Sequence, residues 1–430
     1  MIKDILKKGI VSILTLEAKL VLGKYKPKIV AVTGSVGKTS TKDAIYTVLS
    51  PHFITRKSIK SFNSEIGVPL TIIGCNNAWT NPFLWIKNIF VGLSLILLPH
   101  RYPEWLVLEV GADRPGDIYN ITRWLKPDVS VVTKMSKVPV HVEFFPSVED
   151  VVKEKSHLAQ AVKPNGVLIL NSDDDKVLEM SKLTSARKIT FGFLGGANVH
   201  ASNESIKYEF NKVVGMTAKV NYEGNSVPIN LIGALGRHQL YPVLSAIAVG
   251  LSQGINIVEA SQSLVSHIPP QGRMHIISGI KGSTVIDDTY NSSPVALLSA
   301  LDAIKEVNTT GRKIAVLGDM LELGKYSVDE HKKAGEKVAE TCNMLITVGM
   351  RARYIAEGAL NKEMDEKSIF QFDESREAGK HLETLLRDGD IVLVKGSQSI
   401  RMEKTVFEIM AEPENADKVL VRQDEEWKRR

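Results

Sequence analysis

Three things are scarce in this chain. Its 430 residues hold two cysteines, Cys75 and Cys342, far apart and without metal-ligand spacing. That leaves no basis for a cysteine metal site, and a reducing, cytoplasmic location fits. Excess charge is the second scarcity. Fifty-four Lys and Arg against 49 Asp and Glu leave a net charge of +5, too little to argue for a nucleic-acid partner. The third is long apolar sequence. The run Ile10–Leu16 is short, is followed by Glu17 and Lys19, and has no small-residue cleavage site, so it does not read as a signal peptide. The stretch from Phe83 to Leu98 is also short for a membrane span and carries Lys87, so it reads as a core or interfacial helix.

What is present is the composition of a soluble globular protein, 43% hydrophobic and 24% charged, in a chain long enough for two or three domains. The centre of the chain is Val30-Ala-Val-Thr-Gly-Ser-Val-Gly-Lys-Thr-Ser40. A β-branched run, Ile29 to Val32, predicts a buried strand, and Thr41 to Leu49 predicts a helix. Between them Gly34, Ser35, Val36, Gly37, Lys38, Thr39 and Ser40 form a P-loop with one residue fewer between its glycines than the common form. Glycines let backbone N–H groups close around phosphate oxygens, and the helix N-terminus adds partial positive charge. Lys38 has the reach for β- and γ-phosphates, and Thr39 or Ser40 can offer a hydroxyl to Mg²⁺. A nucleoside triphosphate and Mg²⁺ are the expected cofactors.

Around this centre the chain alternates. Strands are predicted at 105–110, 129–133 and 167–170, with a helix near 148–162, the pattern of a parallel sheet covered on both faces. Residues 188–232 read as an antiparallel meander, and helices follow at about 238–252 and 257–266. Pro269-Pro270-Gln-Gly272 is the best linker. Beyond it strands at 284–286, 313–317, 344–348, 369–372 and 391–394 predict a separate Rossmann-like α/β domain. The expected division is a basic amphipathic helix over 1–28, an ATP-binding domain over 29–268, a Rossmann-like domain over 269–411 and a charged tail over 412–430, ending in a short exposed helix. The first helix could lie on an anionic membrane surface or pack on the next domain.

Further residues narrow the chemistry. Glu109 ends a strand where parallel sheets bind ligands, and a carboxylate there suits Mg²⁺. His141 follows the 129–133 strand and could be a second ligand, although a lone histidine is more often structural. Together Gly34-Ser-Val-Gly-Lys-Thr-Ser40, Asn63-Ser-Glu-Ile-Gly-Val-Pro-Leu70, Leu108-Glu-Val-Gly-Ala112 and Gly236-Arg-His238 resemble the central domain of the Mur ligases. Gly272-Arg273, Asp287-Asp-Thr-Tyr-Asn291, Val316 to Gly324 and Val394-Lys-Gly-Ser397 resemble their C-terminal domain, and look most like the branch that adds D-alanyl-D-alanine.

The resemblance implies an ATP-dependent amide ligase. It would phosphorylate a muramoyl-peptide carboxylate and let the amine of D-Ala-D-Ala attack the acyl phosphate. It places Lys38 on the β/γ-phosphates and Thr39 on Mg²⁺, and gives Glu109 and His141 metal-binding roles. It aligns Lys155 with a lysine that the family carbamylates to bind a second Mg²⁺. Arg273 matches an arginine that reaches the phosphates on domain closure, and Asp288 and Asn291 match a segment beside the nucleotide.

Some positions depart from the family pattern: Lys134, Gln239, Pro242 and Ser293 stand where asparagines are usual, and His157 where a glutamate is common. About thirty residues precede the P-loop, too few for the family's usual domain that grips the UDP end of the substrate. The expectation is then a partner chain for that role, or an acceptor without that handle; a lipid-linked acceptor would suit the two greasy segments, with contact at the inner face of the membrane. Competing readings are a ligase of another carboxylate acceptor such as a folate, a weakly catalytic scaffold partner of wall enzymes, and a simple P-loop ATPase or kinase.

Overall fold

The computed structural model describes residues 2–428, and side chains over 9–427. The expected fold class is the one observed, two α/β units joined in sequence. The first opens with α1 (Ile2–Tyr25), β1 (Lys28–Thr33), α2 (Lys38–Leu49), β2 (Thr55–Lys57), α3 (Gly67–Ile73), α4 (Pro82–Leu97) and β3 (Trp105–Glu109). It continues through α5 (Asp117–Thr122), β4 (Val129–Val132), α6 (Val148–Gln160), β5 (Val167–Asn171), α7 (Asp175–Glu179) and β6 (Arg187–Gly192). Three long strands follow, β7 (Val199–Glu209), β8 (Lys212–Tyr222) and β9 (Asn225–Ile232), then α8 (Leu240–Ser252) and α9 (Ile257–Ser263).

These strands make one nine-stranded sheet in the order β2-β3-β1-β4-β5-β6-β7-β8-β9. Pairing is parallel from β2 to β7 and antiparallel from β7 to β9. The meander is therefore not a separate layer. It extends the nucleotide-type sheet, because β7 pairs in parallel with β6 at Phe191 and Val199 before turning back. β1 is buried along Ile29–Thr33 with α2 and α8 over one face and α1, α3 and α6 over the other. Continuous β-branched sequence is what a strand covered on both faces requires.

The second unit runs β10 (His275–Ser278), β11 (Thr284–Asp288), α10 (Pro294–Glu306), β12 (Lys313–Gly318), α11 (Ser327–Ala339), β13 (Met344–Val348) and α12 (Arg353–Asn361). It ends with β14 (Ile369–Phe372), α13 (Ser375–Leu385), β15 (Ile391–Lys395), α14 (Glu403–Ile409), α15 (Ala416–Val419) and α16 (Glu425–Lys428). Its six strands lie in the order β10-β11-β15-β12-β13-β14, parallel except for the edge strand β10. Sequence reasoning missed β10, a four-residue edge strand just past the linker.

The tail ends in a short helix, α16, and the segment before it is packed. Leu420 and Val421 are buried, and Arg422 reaches back to donate to Thr289 O at 3.0 Å and to the Glu403 carboxylate at 2.8 Å. Polar composition hid a segment packed by its few apolar residues.

Candidate active site

The P-loop sits at the C-terminal end of β1. Gly34, at φ 146°, lies so close to β4's continuation that a Cβ would fall 2.0 Å from Thr133 Oγ1. Gly37 caps α2 at φ 83°, a left-handed conformation costly to other residues. The loop is tied down from the side: Ser35 N–H donates to Lys134 O at 2.8 Å, and Thr133 Oγ1 donates to Val36 O at 2.6 Å. Lys134 thus serves through its backbone, which explains how a lysine is accommodated there.

Directly beside the loop, Glu109 is buried at the end of β3. One carboxylate oxygen accepts from Thr39 Oγ1 at 3.0 Å. The other accepts from Ser61 Oγ at 2.6 Å and Asn63 Nδ2 at 3.2 Å. Ser61 and Asn63 were not singled out from sequence, although Asn63 opens one of the recurring motifs. Their loop is pinned by Lys42, fully buried on α2, whose ammonium donates to Ser58 O at 2.9 Å and Lys60 O at 3.1 Å. One helix therefore carries the phosphate-type lysine, the hydroxyl and the post that fixes the opposing loop.

Lys38 Nζ donates to Gly34 O at 2.9 Å. Burial lowers its pKa, Glu109 pulls it up, and Arg273 pushes it down again. That last influence places a residue of the second unit within electrostatic reach of the P-loop. Arg273 stacks on Tyr290 with its guanidinium carbon 4.0 Å from the ring centroid, and its buried Nε has no hydrogen-bond partner. An arginine held by its flat face keeps its N–H fork free for an anion.

Lys155, on α6, is buried with no side-chain hydrogen bond or ion pair among the described residues. Burial, then the charge of Lys38, lowers its pKa to about 7. His141, at φ 69°, contacts Asp113 at 3.4 Å through Nε2 and Glu322 of the second unit at 2.5 Å through Nδ1. Its hydrogen-bond and ion partners do not include Glu109. Among the described residues no three His, Cys, Asp or Glu side chains cluster as a metal cage. Thr39 with Glu109 instead matches how Mg²⁺ is held, by one or two protein oxygens with phosphates and water completing the shell.

Across the junction, Asp288 accepts from the buried Lys395 ammonium at 2.6 Å, and that ammonium also donates to Asn291 O at 2.9 Å. Asp288 and Asn291 are thereby committed to shaping the 288–291 turn, with the Asn291 backbone rather than its side chain making the bond. His238 lies near this pair, and burial lowers its pKa to about 4, so it is neutral at pH 7. The tail completes the arrangement: Arg422 also donates to Tyr290 O, and Asp424 meets Lys60 of the P-loop side at 2.5 Å. Neither residue was legible as a site residue in the sequence.

Known proteins contain the same two units. The Mur ligase middle domain model matches residues 87–250, and the Mur ligase glutamate ligase domain model matches 272–398. The chain belongs to the Mur ligase family. It is 30% identical over 413 residues to the UDP-N-acetylmuramoyl-tripeptide–D-alanyl-D-alanine ligase of Mycobacterium leprae, covering 89% of this chain and 73% of that one. The enzyme of the same name from Bacillus subtilis is 28% identical over 397 residues, covering 92% and 79%. Among solved structures, MurF ligase from Thermotoga maritima in complex with ADP superposes with a TM-score of 0.74 at 26% identity, covering 92% of this chain and 82% of that one. Folylpolyglutamate synthase from Mycobacterium tuberculosis, with a TM-score of 0.65 at 15% identity, shares the fold alone.

Proposed function

We propose that the chain is an ATP-dependent ligase that joins D-Ala-D-Ala to a muramoyl-tripeptide through an acyl phosphate. The observation that carries this is the convergence of Lys38, the Thr39–Glu109 pair, buried Lys155 and Arg273 of the second unit at one P-loop. Mg²⁺, held by Thr39 and Glu109, would supply the positive charge that phosphoryl transfer demands. The chain's own residues do the rest. Lys38 leaves Gly34 O for the phosphates, and the free fork of Arg273 takes the charge that develops on the transferred group. A pKa near 7 leaves much of Lys155 as neutral amine, the form that adds CO₂, which supports carbamylation. His141 is held against Glu322 at the seam between the units, so its role is one of closure as much as ligation.

The name of the relatives supports the acceptor and the donor; the likeness to a structure holding ADP supports the nucleotide. A cytoplasmic site of action follows from those substrates, and the exposed apolar faces of α1 and α4 support peripheral contact with the inner face of the membrane.

The test is phosphate release from ATP and Mg²⁺ with UDP-muramoyl-tripeptide and D-Ala-D-Ala supplied singly and together, with mass spectrometry of the same tubes. Release that needs both, with a pentapeptide product, is the expected result. Release independent of acceptor would make the chain a P-loop ATPase and overturn the reading.

A further inference from the structure

Two helices on the first unit show large apolar side chains on the face that ordinary surface helices keep polar. α1 buries Leu14, Ala18 and Val21 against the sheet and α3, yet leaves Leu16 58% and Leu20 48% exposed. α4 buries Asn88, Gly92 and Leu95, and shows solvent a stripe at three- and four-residue spacing that includes Phe83 at 78%, Phe90 at 65% and Leu97 at 75% exposure. Its one charged side chain is Lys87. Apolar patches this continuous mark interaction surfaces.

The two helices form a fixed pair. Gly92 of α4 lies against the Glu17 carboxylate of α1, where a Cβ would fall 2.3 Å from Oε2. Lys24 Nζ donates to the terminal carbonyls Leu95 O at 2.9 Å, Ile96 O at 3.0 Å and Leu98 O at 2.6 Å, and so caps α4. Residue 17 beside 92 and residue 24 beside 95–98 make the pair parallel. No helix among the described residues is long and apolar enough to cross a membrane. At 1.5 Å per residue α4 is about 24 Å long, shorter than the roughly 30 Å hydrocarbon core. Such helices lie on a membrane rather than through it.

Charge selects the occupant. Among the described side chains of α1, Lys19 is exposed, Lys24 caps α4, and the one acid, Glu17, is turned inward, buried under α4. Beside the C-terminal ends of both helices an open recess of about 430 Å³ is lined by Lys26 and Lys28 among Tyr25, Tyr102 and Trp105, with Glu104 its one acid. Cations and aromatic rings flanking an apolar stripe are the recognition features of an anionic lipid surface.

We propose that the paired α1–α4 face docks on an anionic bilayer, with Phe83, Phe90 and Leu97 set among the acyl chains and the exposed Lys19, Lys26 and Lys28 at the phosphates. This deepens the membrane contact proposed above and is independent of the acceptor assignment.

The test is flotation of the full chain with phosphatidylcholine vesicles, with and without one third phosphatidylglycerol, at 0.1 and 0.5 M salt. Wild type is expected to float with the anionic vesicles at least tenfold more than with the neutral ones, and less at high salt. Phe90→Glu with Leu97→Glu is expected to abolish flotation while leaving the melting temperature and ADP binding unchanged. Should that variant fail to fold, quenching of wild-type tryptophan fluorescence by brominated lipid decides the question, since Trp79 and Trp85 flank the stripe. No flotation and no quenching by wild type overturns docking. So does a dimer in lipid-free solution that Phe90→Glu dissociates, because a second copy then covers the face. A chain that ligates but does not float sinks docking alone; one that floats but does not ligate sinks the substrate reading alone.

Discussion

The junction between the two units and the outer face of α1 and α4 break the same rule in opposite directions. At the junction charges are inside: Glu109, Lys42, Asp288 and Lys395 are all buried, each with partners within hydrogen-bond distance. On the outer face large apolar side chains are outside, exposed among the described residues. An exposed leucine alone means little, whereas buried charge and a contiguous exposed stripe are the informative departures. The junction stabilises its anomaly internally, through ion pairs and backbone carbonyls. The outer face leaves its own to be satisfied by something else.

The comparison is broken most directly at the P-loop. Lys38→Ala should lower acceptor-dependent phosphate release at least about 10³-fold, as loss of a charge-stabilising group does, with little change in melting temperature. If folding collapses instead, the junction is a structural network and not a site. Next, Lys395→Met leaves Asp288 buried without its cation, and breaking such a pair costs about 3–5 kcal/mol. Urea denaturation measures it, and a loss under about 1 kcal/mol would show the pair to be dispensable.

Glu17 sharpens the other side. Burial raises its pKa from 4.5 to about 7, and both carboxylate oxygens are without hydrogen-bond partners. Between those values the unfolded chain releases the proton while the folded chain keeps it, so folding becomes less favourable as pH rises through the window and levels off above it. Glu17→Gln should therefore melt above wild type at pH 8, with the difference closing towards pH 4. Equal melting curves at both values would mean that the carboxylate is solvated. The smallest effect belongs to Lys60–Asp424, whose side chains are 54% and 36% exposed. Asp424→Asn should cost less than about 1 kcal/mol in stability. Its kinetic signature, a raised KM for ATP with little change in kcat, would show that the tail holds the units together.

What the sequence disclosed follows the same division. Gly34 to Ser40 and the alternating strands were legible because phosphate binding and doubly covered strands impose local patterns. Glu109 and Arg273 were legible through motifs. Ser61, Lys42 and Arg422 were not, since their roles depend on carbonyls and carboxylates that only folding brings near. The greasy stretch at 83–98 was read as a core or interfacial helix, and its stripe emerged only once one side of it was seen buried. The tail was legible as a charged segment ending in a short helix, whereas the burial of Leu420 and Val421 within it was not.

The strand order of the second sheet bears on synthesis. β15, the last of this sheet's strands in chain order, enters between β11 and β12, with Asp288 paired to Lys395 at its end. Until the ribosome has passed residue 395, both neighbours present bare edges and Asp288 has no counter-ion. The unit cannot close by stepwise addition; it must wait for its own centre. Premature termination in β15 should therefore yield a product prone to strand-edge aggregation, even with every earlier helix and strand already made.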